Sequence, residues 1–153
     1  DCLIRNCGAG INIDYWSEFN RFTGVQCVGN YIGAVNNGGN NSFVNCNFSG
    51  NVVGMLMENR GDSAPNNSHG NVIGCIFDHS DSNKGTGLKL VGMKNGEIFS
   101  GCQVFFSKIE IEDCDGMVFS SFNFGKDEES LAVCISQRRS NFQNCDAIAT
   151  HVF

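Results

Sequence analysis

Apolar residues recur along this chain in a six-residue pattern: apolar, any residue, a small turn-former, Cys or another apolar residue, any residue, apolar. It first reads Ile4-Arg5-Asn6-Cys7-Gly8-Ala9 and returns as Phe22-Thr23-Gly24-Val25-Gln26-Cys27 and Phe43-Val44-Asn45-Cys46-Asn47-Phe48. Further copies are Val72-Ile73-Gly74-Cys75-Ile76-Phe77, Phe99-Ser100-Gly101-Cys102-Gln103-Val104, Phe119-Ser120-Ser121-Phe122-Asn123-Phe124 and Phe142-Gln143-Asn144-Cys145-Asp146-Ala147. A second stretch follows most copies, with apolar residues at alternate positions: Ile11-Asn12-Ile13-Asp14, Met55-Leu56-Met57-Glu58, Leu88-Lys89-Leu90-Val91, Ile109-Glu110-Ile111-Glu112 and Leu131-Ala132-Val133-Cys134. A period of two marks strands with one buried face. No segment sustains the helical period of 3.6. The copies lie 18 to 29 residues apart, as expected of coils that keep their strands and vary their loops.

The turn-former column holds Asn6, Gly24, Asn45, Gly74, Gly101, Ser121 and Asn144. Asn and Gly tolerate the left-handed backbone conformation. One such residue bends the chain between two strands while both flanking apolar residues still point inward, and stacked Asn side chains there can bond from rung to rung. These features predict an all-β, single-stranded right-handed parallel β-helix of about seven rungs. The prediction is one domain over residues 1–153, read as a fragment of a longer chain. Its core columns are Cys7, Val25, Cys46, Cys75, Cys102, Phe122 and Cys145, and Ala9, Cys27, Phe48, Phe77, Val104, Phe124 and Ala147.

Composition narrows the function classes. The net charge is −6, with only 10 Lys and Arg, which argues against a nucleic-acid binder. No apolar run reaches the ~20 residues of a membrane-spanning helix. Nine Cys cannot all pair internally, and their place in the apolar columns reads as small buried hydrophobes in a protein made under reducing conditions. No metal site and no cofactor are expected. Asp78-His79-Ser80-Asp81 reads as a solvated loop; the longest loop, from Asn59 to His69, is of a kind that often holds binding groups, and its Arg60-Gly61-Asp62 tripeptide reads as a chance match.

Chemistry is expected on the outward side of the second strand, where one column reads Asn12, Val35, Leu56, Lys89, Glu110, Ala132 and the next Asp14, Glu58, Val91, Glu112, Cys134. Glu110 and Glu112 sit two residues apart, roughly 6.8 Å between Cα atoms on one face. Inverting glycosidases hold their two carboxyls roughly 6.5–9.5 Å apart. Glu58, Glu110 and Glu112 are therefore the candidate acid–base residues, with Lys89 placed to keep Glu110 ionised. Tyr15, Trp16, Asp14 and Lys89 are candidate sugar-binding residues, the aromatic rings stacking and carboxylates such as Asp14 and its neighbour Glu18 accepting hydroxyl hydrogen bonds. Apolar residues in the outward columns, Val35, Leu56, Val91 and Ala132, point instead to coverage by another chain or a packed loop.

The rung pattern resembles the right-handed parallel β-helix superfamily of pectate lyases and bacteriophage tailspikes. The unpaired Cys and the short rungs rich in Asn, Gly and Phe make it more similar to the tailspike and tail-appendage branch. That resemblance implies a homotrimer in the virion tail, assembled in the bacterial cytoplasm, that recognises a polysaccharide of the host surface. The alternatives are a polysaccharide hydrolase or lyase and a structural spacer.

Overall fold

The computed structural model describes residues 2–59, 69–79, 85–93, 96–124, 131–135, 141–143 and 151–152. The described elements are all strands, and the chain winds them into a parallel β-solenoid with three faces. Face A is short. It pairs Cys2–Ile4 with Val25–Cys27, continues through single bridges from Gln26 to Asn47, Ile76 and Gln103, and ends with Gln103–Val104 against Asn123–Phe124. Face B is a seven-stranded sheet of Ala9–Ile13, Ile32–Asn36, Val53–Glu58, Thr86–Val91, Lys108–Glu112, Leu131–Ile135 and His151–Val152. Face C has six strands, Arg21–Thr23, Gly39–Val44, His69–Ile73, Glu97–Ser100, Val118–Ser120 and Asn141–Gln143. About five turns run through all three faces, close to the seven rungs expected from sequence.

Each strand buries alternate residues against the rungs above and below, about 4.8 Å away. From Cys46 onward the predicted columns hold: Cys46, Cys75, Cys102 and Phe122 are buried in one, and Phe48, Phe77, Val104 and Phe124 in the other. Face C adds Phe43, Val72, Phe99 and Phe119. Aromatic rings stack along these columns, Phe22 on Phe43 and Phe99 on Phe119 with centroids 4.9 Å apart, and Phe48 on Phe77 at 5.6 Å. Burial raises the thiols of Cys27 and Cys102 to about 11, so both are uncharged hydrophobes at neutral pH.

The turn-former column marks the corner from face C to face A. Gly24, Asn45, Gly74, Gly101 and Ser121 all have φ between 51° and 65°. Their amides donate to carbonyls of the next rung, Gly24 to Val44, Asn45 to Ile73, Gly74 to Ser100 and Gly101 to Ser120. The expected asparagine ladder forms elsewhere, at the corner from face A to face B. There the Asn30 amide donates to Asn51 Oδ1 at 2.7 Å, the Cys7 amide donates to Asn30 Oδ1, and Asn51 Nδ2 donates to the Cys27 and Phe48 carbonyls.

The first coil corrects the sequence alignment. Ile4, not Ala9, pairs with Cys27, and Cys2, not Cys7, pairs with Val25. Cys7 is consequently exposed, and Asn6 belongs to the A–B corner, where its amide donates to the Gly29 carbonyl. The alignment failed because this corner also carries left-handed residues, Asn6, Gly29 and Gly50, and a short coil matches either corner. Cys145 and Ala147 lie outside the described residues.

Close approach explains the glycines near the start of the face B strands. A Cβ at Gly10, Gly33 or Gly54 would lie 2.4–2.7 Å from the carbonyl oxygen of the next glycine in the column, and one at Gly87 would lie 2.8 Å from Ser107 Oγ. The column admits no side chain without moving backbone.

Candidate functional site

The sequence-predicted residues all fall on face B or its edges. Pairing places Asn12 beside Val35, Val35 beside Leu56, Leu56 beside Lys89 and Lys89 beside Glu110. The trailing-edge column runs from Glu58 to Val91 to Glu112. Glu58 therefore stands two rungs from Glu112, about 10 Å along the axis. Val35 is only 6% exposed, so it is covered within this chain and needs no second one. One expectation fails. Glu110 pairs with Val133 rather than Ala132, because the Leu131–Ile135 strand is displaced by one residue from the alignment and pairs Ala132 with Ile109.

Glu110 is held by two lysines. Its oxygens take an ion pair of 3.3 Å from Lys89 and one of 2.6 Å from Lys108, and Thr86 Oγ1 lies 3.4 Å away. Burial pushes its carboxyl up, but the Lys108 hydrogen bond and charge, together with Lys89, outweigh this and hold it below the usual carboxylate range. Lys89 thus stands beside Glu110 as column counting expected. Lys108 is the stronger partner, and it was legible as the third charged position of the alternating Lys108-Ile109-Glu110-Ile111-Glu112 strand. Glu110 is suited to an ionised base or a hydrogen-bond acceptor and unsuited to donating a proton. Glu112 is exposed at the edge of the same strand.

The aromatic cluster sits at the other end of face B, just after the Ala9–Ile13 strand. Trp16 is 66% exposed, with its ring centroid 5.9 Å from that of Tyr15 at 49°. Asp14 Oδ1 accepts from the Tyr15 amide at 2.9 Å, which fixes the start of the turn. Trp16 has φ 77° and Phe19 has φ 60°, conformations that bulky residues rarely adopt. The Phe19 amide donates to the Gly39 carbonyl and the Ser17 amide to the Asp14 carbonyl, so the turn is tied both to itself and to the next coil. Phe19 and Tyr31 are also largely exposed, at 73% and 64%. Sequence reasoning missed both, since neither lies on an alternating strand. Tyr31 leads into the second face B strand, so aromatics flank this end of the face on both edges.

The two clusters do not meet. From Asn12 to Glu110 is four rungs, about 19 Å. The geometry is an extended track rather than a pocket. Asp78 is part of the scaffold: it accepts from Gln103 Nε2 at 2.8 Å and from the Phe105 amide at 3.0 Å. Ser80, Asp81 and the Arg60-Gly61-Asp62 tripeptide lie outside the described residues. Among the described residues, no cluster of three or more His, Cys, Asp or Glu is arranged to hold a metal ion.

No family model matches the chain, and no curated protein matches it. Among solved structures, a trypsin-treated form of QnrB1, a plasmid-mediated fluoroquinolone resistance protein, is 20% identical over 97% of this chain and 72% of that chain, with a TM-score of 0.21. At that score the likeness carries no argument. The fold rests on the strand pairings above.

Proposed function

We propose that this chain is a glycan-recognising β-solenoid domain of the phage tail-appendage or tailspike kind, which takes an extended host-surface polysaccharide along face B. The exposed Trp16 ring, paired with Tyr15 and held by a strained, hydrogen-bonded turn, carries this reading. Strained backbone costs of order 1–3 kcal/mol and persists where the surroundings over-determine it, often at ligand sites. A rigid, exposed aromatic ring stacks on the apolar face of a sugar with little entropy to lose. Beyond it, Glu58, Glu110, Glu112 and Lys89 offer acceptors and donors to hydroxyls of later sugar units. A virion-tail location, assembly in the bacterial cytoplasm and a homotrimeric state belong to the same proposal and rest on the resemblance of the rung pattern.

Cleavage is the second reading, and the register favours one version of it. Glu110, kept ionised by two lysines, would act as base, and Glu112 as acid. Incubating the chain with a panel of bacterial surface polysaccharides separates the readings. We expect one polymer to be bound with its chain length unchanged. Shortening that is lost in Glu112→Gln would establish the enzyme instead, and neither binding nor shortening would leave a structural spacer.

A further inference from the structure

One inner column carries reactive chemistry that packing alone does not use. Cys46, Cys75 and Cys102 follow one another just past the corner from face C to face A, and all three are buried. Asn47 bridges to Ile76 and Ile76 to Gln103, so the three cysteines stand on successive rungs. The Ile76 amide donates to the Cys46 carbonyl at 3.0 Å and the Gln103 amide to the Cys75 carbonyl at 2.9 Å, which fixes that register. Neighbouring Cα atoms in the column are therefore about 4.8 Å apart, and those of Cys46 and Cys102 about 9.6 Å apart.

The three side chains share one orientation. The Cys46 sulfur lies 3.5 Å from the Phe22 and Val44 carbonyl oxygens. The Cys75 sulfur lies 3.6 Å from those of Phe43 and Ile73, and the Cys102 sulfur 3.6 Å from that of Val72 and 3.5 Å from that of Ser100. Phe22, Phe43 and Val72 are paired in turn, so each thiol meets one carbonyl of its own rung and one of the rung before. Cys75 is also within hydrogen-bond reach of the Cys46 sulfur. A proton pointed there lowers the Cys46 thiol to about 7, and the same bond, together with burial, raises the Cys75 thiol. Burial raises the Cys102 thiol instead.

We propose that Cys46 and Cys75 are a redox pair, which a small hydroperoxide oxidises to a disulfide that staples two adjacent rungs. A disulfide needs Cα atoms roughly 4.4–6.8 Å apart, a span that neighbours in this column meet and that Cys46 and Cys102 exceed. Cys46 supplies the attacking thiolate. Its sulfur bonds to one peroxide oxygen as the O–O bond breaks, and the other oxygen leaves as hydroxide and takes up the proton that Cys46 released. The Cys75 sulfur then attacks the resulting sulfenic acid. The S–S bond forms, the S–O bond breaks, and the hydroxyl leaves as water with the Cys75 proton. Two thiols are oxidised, and one hydrogen peroxide is reduced to two waters.

The cover over the pair at the corner is thin. Asn45, next to Cys46, is exposed, and Gly74, next to Cys75, is half-buried and has no side chain. Side chains stacked one rung apart stand wider than the roughly 3.8 Å between Cβ atoms of a relaxed disulfide, so the staple draws the rungs together and is readily reduced.

The test treats the native chain with hydrogen peroxide while strand circular dichroism is followed, then blocks the remaining thiols under denaturing conditions and maps linked peptides by mass spectrometry. We expect a Cys46–Cys75 link formed without loss of the strand signal and released by dithiothreitol. Cys75→Ala should leave no link within the column, since Cys46 and Cys102 cannot reach each other. A Cys75–Cys102 link in its place, scrambled pairs, or Cys46 and Cys75 still free once the exposed Cys2 and Cys7 are oxidised would overturn the proposal. If the variant does not fold, the wild-type map decides alone.

Discussion

Faces B and C share one backbone stack and one kind of inward column, yet they present opposite chemistry to solvent. Face B points Lys89, Lys108, Glu110 and Glu112 outward, with Glu58 at its trailing edge and exposed aromatic residues at one end. On face C the described outward strand residues are short and mostly uncharged. Ser42 bonds to Asn71 at 2.7 Å, Ser100 to Ser120 at 3.0 Å, Ile73 and Ile98 stand exposed, and Arg21 brings the one full charge. Inward positions answer to the rung above and below, so they look alike on both faces. Outward positions touch the next rung only through such side-chain pairs and fill no core, so their chemistry is freer to serve a ligand.

The likeness of the inward positions can be broken first. Gly54→Val places a side chain against the Gly87 carbonyl oxygen, 2.4 Å from the new Cβ, so the stack cannot close. We expect loss of the folded protein, seen as loss of the cooperative thermal transition and of strand circular dichroism. Phe99→Ala leaves a cavity beside Phe119 on face C and should cost about 3–5 kcal/mol in denaturant unfolding.

The outward contrast calls for milder changes. Trp16→Ala should weaken glycan binding by about 2 kcal/mol while leaving the unfolding midpoint nearly unchanged, a split that calorimetry and thermal melts read together. Glu110→Gln removes partners from two half-exposed lysines and should cost about 1 kcal/mol at neutral pH. Because the folded carboxyl lies below its usual range, that stabilisation is present above the ordinary value of 4.5 and lost as pH falls. The difference between wild type and variant should therefore shrink on acidification. Ile98→Ser on face C, 51% exposed, should change stability by less than about 0.5 kcal/mol.

Much of this arrangement was legible in the chain. Alternation of Ile109, Glu110, Ile111 and Glu112 identified a half-buried strand, and the Gly24, Asn45, Gly74, Gly101 and Ser121 column located a corner, because both reflect local backbone demands. Register in the first coil was not legible, since Asn6 suits either corner and only pairing with the next rung decides between them. What covers Val35 was not legible either, since alternation gives a residue's side of the strand but not its cover. Within the site, Lys89 beside Glu110 followed from column counting. Phe19 and Tyr31 did not, because residues in corners follow no period. Glu97 broke the alternation by placing a carboxylate at an inward position, and only its burial in three dimensions exposes the conflict.

The recognition claim can be tested on a single fluorophore. Trp16 is the one tryptophan of the chain and is largely exposed, so its emission reports the proposed site without labelling. Titrating bacterial surface polysaccharides while recording that emission should give, for the cognate polymer, a saturable blue shift as the ring leaves water. A polymer that binds by calorimetry yet leaves the Trp16 emission unchanged would place recognition elsewhere and contradict the face B assignment.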